Sequence, residues 1–559
     1  MRTFSSYGPI HIKKHYYAPR KELIKQAADQ LMGDEEGGHY ITIWAPRQSG
    51  KTWVMQQVVR HIQERGDFDV AIISLQRAKD LSSDDGVLSV FVNKLQTHFQ
   101  RDFISLSDWR SYSTVLLKKL FKFDSVNTIQ WQQFTHIFTK KFFKKPVILI
   151  IDEFDALEEN FINKFVNEFR DMYISRQAES NEISSEKNGL LHGLALIGVR
   201  SALGIENIKG SPFNVQRSIH IPNLTYDEVN GMFKWYEKES NQQIDQDVID
   251  RIYYEFQGQP GLTCWFGEQL TEHYNTETDK AISRSHFDHV LMIASTALPN
   301  NTILNIISKA KSSPYQEVVL ELFKTDIKVE FSFDDTILNY LYMNGVIDLE
   351  HEKDQPIYVK FASPFVQKRL FNYFSRELFK YPGQLIEPFS RIDHVINDHR
   401  IHIKNLMHLY ETYLKKNKSW LLENAPRRKD LRIFEAVYHF NLYMFLHQFL
   451  TPRKAKVWPE FPTGNGKIDI MINYANEIYG IELKTFSDES TYKEAIKQAA
   501  KYAVKLKTNV IALVFFVEFI DDKSREDYEK VNRDKTTGIS VETIFIESGK
   551  ADENMNVYS

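Results

Sequence analysis

The chain carries a single cysteine, Cys264, in 559 residues. One thiol excludes an intrachain disulfide framework and any zinc site built from several cysteines. No apolar run is long enough to span a bilayer, and Met1 to Lys14 lacks the apolar core of a signal segment. These absences make the cytoplasm the expected compartment and a membrane an unexpected partner. Neither sign of charge dominates. The net charge of −4 says little about partners, because an acidic chain can still carry a local basic groove. His394, His399, His402 and His408 lack a tight set of companion ligands, so they read as solvated or hydrogen-bonded rather than metal-binding. No internal repeat is present. Aromatic side chains, by contrast, are plentiful, with 39 Phe and 27 Tyr. An apolar fraction of 42% and a charged fraction of 26% are those of a soluble globular protein, and the length suits three or four domains with cores of their own.

Tyr40, Ile41, Ile43 and Trp44 form a short apolar run suited to a buried strand. Ala45-Pro46-Arg47-Gln48-Ser49-Gly50-Lys51-Thr52 follows. From Lys51 a helical pattern carries Val54, Met55, Val58, Val59 and Ile62 on one face, up to a stop at Gly66. A strand, a tight loop and a helix N-terminus make a place for phosphate: N–H groups point at the anion, the helix dipole favours negative charge, and Lys51 reaches the outer phosphates. Thr52 would put its hydroxyl on Mg²⁺. The loop departs from G-x-x-x-x-G-K-[ST] at Ala45, a residue small enough to keep the turn. Farther on, Val147 to Ile151 is a continuous apolar run ending in Asp152-Glu153, as expected of a buried parallel strand with carboxylates at its C-terminal edge. Asp152 would hold Mg²⁺ through water, and Glu153 would orient the attacking water. The two motifs together predict nucleotide binding.

Around them the pattern predicts a strand at Val70–Leu75, mostly helix over residues 80–145, a helix from about Asn160 to Tyr173, and a mobile polar loop from Ser175 to Asn188. Buried strands follow at Leu194–Arg200 and Ile219–Leu224. The basic run Lys140 to Lys145 reads as a charged helix end facing water. At the sheet's edge Arg200 can reach a terminal phosphate or stand as an ordinary surface arginine. Gln257 to Gly261 breaks a helical region sharply. In order, Pro19-Arg20, the phosphate loop, Asp152-Glu153, Arg200 and Gly258-Gln259-Pro260 resemble the STAND-type and archaeal-type P-loop ATPases, relatives of the AAA+ proteins, over roughly residues 15–375. The resemblance implies an α/β core with a five-stranded parallel sheet, a helical lid and a winged helix. It also implies Arg20 among the nucleotide-binding residues, Arg200 as a phosphate-sensing arginine, Pro260 on the adenine side, and ATP used as a switch, often in homo-oligomers. Residues 314–374 fit a winged helix independently, reading helix, helix, strand, turn, strand; such a module binds DNA or serves as internal packing.

Past Pro382-Gly383 and a helix-rich connector from Ile392 to Lys416, a second constellation appears. Phe434 to Tyr443 is an apolar helix interrupted by Glu435. Lys467 to Ile472 alternates like a strand, with Ile468, Ile470 and Ile472 on one face and Asp469 on the other. Ile478 to Lys484 presents Glu482 and Lys484 together, two residues apart. Asp469 and Glu482 are hard oxygen ligands suited to Mg²⁺, which stabilises charge on a scissile phosphate, and Lys484 can position the attacking water. The next helix starts at Thr491 as N-cap, with Glu494 in a capping box, and presents Gln498 and Tyr502 four apart. The set Asp469, Glu482-x-Lys484, Gln498-x-x-x-Tyr502 is similar to the RecB-like branch of the PD-(D/E)xK nucleases over about residues 426–545, with Glu435 at the early acidic position and Ile468 where a proline often stands. It implies a mixed α/β sheet, Glu435 as a further metal ligand, and nucleic acid, DNA first, as partner. The expected organisation is an ATPase core (1–224), lid (225–310), winged helix (311–375), helical connector (376–425) and nuclease-like domain (426–559). The expected function is an ATP-controlled, Mg²⁺-dependent nuclease. Its rival is a non-cleaving ATPase switch whose last domain binds nucleic acid or a protein.

Overall fold

The computed structural model describes residues 1–5, 7–34, 36–100, 131, 137–179, 182–198, 217–323, 329–351, 355–386, 390–428, 433–462, 467–486 and 488–548. The chain forms two compact units, Met1–Val290 with Ser332–Gly345, and Leu291–Phe331 with Val346–Ser559.

The first unit runs α1 (Lys21–Met32), β1 (Tyr40–Trp44), α2 (Lys51–Arg65), β2 (Asp69–Ser74), α3 (Asp84–Phe99), β3 (Val147–Asp152), α4 (Glu159–Ala178), β4 (Leu191–Gly198) and β5 (Arg217–His220). The strands form a parallel sheet in the order β2-β3-β4-β1-β5. Helices cover both faces, which is why β3 reads as an unbroken apolar run. Its odd positions Val147, Leu149 and Ile151 join Phe91 of α3 and Phe165 of α4. Its even positions Ile148 and Ile150 join Leu31 of α1 and Val58 of α2. Gly66 ends α2 at φ 76°, as its place in the sequence requires. Four helices follow: α5 (Tyr226–Ser240), α6 (Gln246–Phe256), α7 (Pro260–Glu268) and α8 (Arg284–Thr296), across which the division between units falls. Thr225 and Glu228 close a reciprocal capping box at the start of α5.

Several sequence expectations need correction here. The second strand ends at Ser74, and the strands expected at 194–200 and 219–224 are Leu191–Gly198 and Arg217–His220. Arg200 and most of the helical stretch expected at 80–145 lie outside the described residues. The expected loop from Ser175 is helix as far as Ala178, and Ser184 and Lys187 beyond it are tied down. Lys187 Nζ donates to the Arg176 carbonyl at 3.1 Å, and Ser184 accepts from Arg176 Nη2 at 2.7 Å, all three residues being buried. The basic run at 140–145 is a turn rather than a helix end, with Lys145 Nζ donating to the Gly66 carbonyl at 2.5 Å and Phe143 buried.

The second unit holds α9 (Asn301–Ala310) and α10 (Tyr315–Leu322); the next helix, α11 (Thr336–Met343), belongs to the first unit. An antiparallel pair, β6 (Ile347–Glu350) and β7 (Tyr358–Phe361), leads to α12 (Pro364–Leu378) and α13 (Ile403–Leu421). Then come α14 (Glu435–Leu450), β8 (Lys456–Pro462), β9 (Lys467–Tyr474), β10 (Glu477–Thr485), α15 (Glu489–Leu506), β11 (Val510–Val517), α16 (Asp522–Tyr528), β12 (Val531–Arg533) and β13 (Ser540–Glu547). These strands make a mixed six-stranded sheet, β12-β13-β11-β10-β9-β8. Adjacent residues of β11 assign its two faces: Phe515 packs on Tyr492 of α15, and Phe516 on Tyr438 and His439 of α14. Phe323, Phe371 and Phe374 close on Phe440, joining α12 to α14 in one aromatic core. Two expectations change. The N-cap of α15 is Asp488, which accepts from the Thr491 N–H. Ile468 does not keep to one face with Ile470; it joins Met471 in the core beneath α15, in room left by Gly480, where a Cβ would stand 2.6 Å from Ile468 Cδ1.

Candidate functional site

Two sites were expected, one in each unit. In the first, β1 delivers a buried Ala45 into a loop that turns twice through left-handed backbone, at Gln48 (φ 56°) and Gly50 (φ 85°). No atom lies within 4 Å of where a Cβ on Gly50 would stand, so the space before the α2 N-terminus is open to an anion. Ser49 Oγ donates to the Pro46 carbonyl at 2.7 Å. Lys51 Nζ donates to the carbonyls of Ala45 and Pro46 at 2.7 and 2.8 Å. Burial lowers this ammonium to about 8, against the opposing pull of Asp155 and Asp152. Thr52 Oγ1 donates to Asp152 Oδ2 at 2.6 Å, and the Glu153 N–H donates to Asp152 Oδ1 at 2.9 Å. Burial raises the Asp152 carboxyl above its usual range, with these bonds opposing.

Glu153 turns off the strand at φ 56° and accepts from Ser74 Oγ at 2.6 Å. The residues flanking Pro260, the first residue of α7, bond to the loop. Gly261 N–H donates to the Gln48 carbonyl at 3.0 Å and Gln259 Nε2 to the Arg47 carbonyl at 3.1 Å. Arg20 lies at a different seam. Its guanidinium donates to the carbonyls of Pro222 and Asn223 at 2.8 and 3.2 Å, and its Nε lies 3.4 Å from Glu228. It thus ties the start of α1 to the junction of β5 and α5.

In the second unit Asp469, Glu482 and Lys484 are 2%, 0% and 2% exposed, a degree of burial that ionisable groups reach only when paired or ligated. Asp469 Oδ2 accepts from the Leu483 N–H at 2.7 Å, while its Oδ1 has no hydrogen-bond partner among the described residues. Lys484 Nζ lies 3.7 Å from Glu482 Oε1. β10 pairs in register with β11, Glu482 beside Leu513 and Lys484 beside Phe515, so both point to the α15 face. From α15, Gln498 Nε2 donates to the Tyr502 hydroxyl at 3.0 Å. Burial raises that phenol, the Gln498 bond opposes, and the charges of Glu482, Lys484 and Asp469 all act on it. Five of the sequence-chosen residues are therefore together. Glu435 is not on that layer: it opens α14, which packs on the Phe516 face. Among the described residues no group of three or more His, Cys, Asp or Glu is placed to hold a metal ion. The pair Asp469 and Glu482 still offers a hard-oxygen donor set with one buried oxygen lacking a donor, which fits Mg²⁺ completed by water.

Residues 5–291 match the model of the AAA-like domain family, a little over half of the chain. The chain belongs to that family. Among solved structures, the Walker-type ATPase of Pyrococcus abyssi is 13% identical over 66% of this chain and 99% of that one, with a TM-score of 0.40. The ORC2 protein of Aeropyrum pernix, in ADPNP–ADP complexes, is 12% identical over 65% and 96%, with a TM-score of 0.35. The RuvB Holliday junction branch migration motor of Thermotoga maritima is 12% identical over 61% and 92%, with a TM-score of 0.31. No curated protein matches the chain.

AAA-like membership and the loop geometry together support ATP as ligand and ATPase activity at this site. The carboxylate site lies outside the matched AAA-like residues. Two contacts of the AAA-like site were not read from sequence. Ser74 is visible only through strand register, which sets it beside Asp152 at the same sheet edge. The Gln259 and Gly261 clasp joins residues about two hundred positions apart. Among the described residues no single helix is long and apolar enough to cross a membrane.

Proposed function

We propose that the chain is an ATP-controlled nuclease, in which the AAA-like unit binds and hydrolyses ATP and the carboxylate site cleaves a phosphodiester bond in nucleic acid, DNA first. The observation that carries the second half is the meeting of Asp469, Glu482 and Lys484 with Gln498 and Tyr502 on one face of a mixed sheet. In this reading Asp469 and Glu482 hold Mg²⁺; when bound, the ion supplies charge stabilisation at the scissile phosphate. Lys484 orients the attacking water beside Glu482, and Tyr502 with Gln498 places the substrate. In the AAA-like unit, Lys51 and the loop from Ala45 to Thr52 bind the phosphates, Thr52 and Asp152 hold Mg²⁺, and Glu153 orients water. Arg20, Arg200 and Pro260 complete the nucleotide site. The five-part organisation, with a winged helix at 311–375, the STAND-type switch, a homo-oligomer and a cytoplasmic location, belongs to the same proposal.

The test is purified protein incubated with linear and circular DNA, with and without Mg²⁺ and ATP. Cleavage that needs Mg²⁺ and changes with nucleotide is the expected result. The near-complete burial of Asp469, Glu482 and Lys484 favours one rival, a non-cleaving switch whose second unit only binds. Binding of DNA without cleavage under any nucleotide would make that the better account.

A further inference from the structure

Along α15 a lysine recurs at every fourth position, Lys493, Lys497, Lys501 and Lys505, and all four are exposed. Residues four apart on a helix are neighbours, and the row drifts around it toward the side bearing Gln498 and Tyr502. Charge compensation along the row is uneven. Lys493 pairs with Glu489 at 2.8 Å. Lys497 lies near Asp534, whose carboxyl is held below the usual range by Thr537 first and by Lys497 in addition. Lys501 and Lys505, the two beside Tyr502, have no ion pair among the described residues. Lys505 Nζ instead lies 5.8 Å from the centroid of the Tyr502 ring. Glu494, the carboxylate on the same exposed arc, sits about two turns before Lys501.

We propose that Lys501 and Lys505 bind successive phosphates of one nucleic-acid strand and lead it across Tyr502 to Asp469, Glu482 and Lys484. The inference rests on the nuclease reading above. Two buried carboxylates repel a polyanion, and Lys484 offsets only one of them; free cations at the rim supply the missing attraction. Their roots are about 6 Å apart along the helix, comparable with the distance between neighbouring phosphates of an extended strand.

The experiment measures binding of the full chain to a labelled oligodeoxynucleotide of about 20 nucleotides, long enough for typical single-strand sites. Chelator replaces Mg²⁺ so that no cleavage intervenes, and the salt concentration is varied. Lys501→Gln with Lys505→Gln should weaken binding tenfold or more and reduce the slope of log K against log salt by about 1.4, two single-strand phosphate contacts. Lys493→Gln, already compensated, should change neither. An unchanged slope in the double variant, with wild-type binding intact, overturns the lysine path and leaves the nuclease reading standing. Displacement of the oligonucleotide by an equal charge concentration of polyglutamate overturns it in favour of an acidic protein partner. A wild-type chain that neither binds the oligonucleotide nor cleaves it with Mg²⁺ overturns both.

Discussion

Ser74 Oγ donates a 2.6 Å hydrogen bond to Glu153 Oε2, linking the last residue of β2 to the residue that follows the buried carboxylate Asp152. The bond holds the glutamate against the sheet edge, on a residue already committed to left-handed backbone. If Glu153 orients the attacking water, as proposed, it must point at the terminal phosphate instead, and this contact would then restrain hydrolysis rather than binding. Ser74→Ala should raise ATP turnover about two- to tenfold, the worth of one solvent-exposed hydrogen bond, with ATP affinity unchanged. A fall in turnover would show that Ser74 positions Glu153 productively.

Lys51 and Glu153 should separate binding from chemistry. Lys51→Ala removes the ammonium that in this proposal leaves the Ala45 and Pro46 carbonyls for the ground-state phosphates, and ATP affinity should drop at least tenfold. Glu153→Gln keeps size and loses the water's partner; turnover should fall about 100-fold or more while ATP still binds. Equal ATP affinity in wild type and Lys51→Ala would falsify the assignment of this loop.

The contact between α7 and the phosphate loop makes a sharper demand on one glycine. A Cβ on Gly261 would stand 2.7 Å from Gln48 Cβ, closer than packed atoms approach, and Gly261 N–H holds the Gln48 carbonyl. Gly261→Ala should therefore spread α7 from the phosphate loop and weaken ATP binding several-fold, with little loss of overall stability because both elements keep their own cores. Isothermal titration beside a melting curve reads the two effects. A variant that binds ATP normally would mean that the clasp is not part of the nucleotide-bound state.

How far the sequence carried depended on whether a feature is local. The phosphate loop, the Asp152-Glu153 strand end and the Glu482-x-Lys484 strand are contiguous, and each took the element its pattern predicts. Errors arose where a contact with a neighbouring segment, rather than the segment's own pattern, decides the outcome. Ser184 and Lys187 look like loop residues, yet Arg176 from the preceding helix captures both. Ile468 left its expected face because Gly480, on the neighbouring strand, has no side chain to fill the space. Thr491 looked like an N-cap because Glu494 follows at capping-box spacing, but Asp488, three residues earlier, already accepts its N–H.

That captured segment implies a pH dependence. His192 Nε2 faces the Met32 carbonyl at 2.6 Å, and a carbonyl only accepts, so Nε2 carries the proton. Nδ1 then accepts from Ser184 Oγ at 2.6 Å, and Ser184 accepts from Arg176. Burial lowers His192 to about 4, with the Met32 bond opposing and Arg176 adding to the shift. Below the unfolded value near 6.5 the unfolded chain takes up the proton first, so stability is lost as pH falls from about 6.5 to about 4. The loss reaches about 3 kcal/mol only below the folded value, where both states are protonated. His192→Gln should be less stable at neutral pH but should flatten this part of the acid profile. Urea midpoints of wild type and variant between neutral and mildly acidic pH measure it; parallel profiles would dispose of the idea.

The carboxylate site can be tested by stability as well as by activity. Asp469 Oδ2 accepts the Leu483 N–H, whereas Oδ1 is buried without a donor close to the fully buried Glu482 and Lys484. Such an arrangement costs folding free energy, and a protein keeps it when a ligand recovers the cost elsewhere. Asp469→Asn should retain the Leu483 bond through its amide oxygen, remove one charge, and place an N–H₂ donor where the lone oxygen was. The variant should be more stable than wild type without metal, by about 1 kcal/mol, and should cleave nothing. Mg²⁺ should raise the melting temperature of the wild type and not of the variant, because only a ligand bound to the native state stabilises it. Lys484→Ala should keep much of that Mg²⁺ shift and still slow cleavage, since an ammonium cannot ligate Mg²⁺. Gln498→Ala and Tyr502→Ala should be milder and act on substrate placement, and all of these variants should bind ATP as the wild type does. If Asp469→Asn is instead destabilised and Mg²⁺ shifts neither protein, the buried pair is a structural ion cluster and the second unit is a binding module.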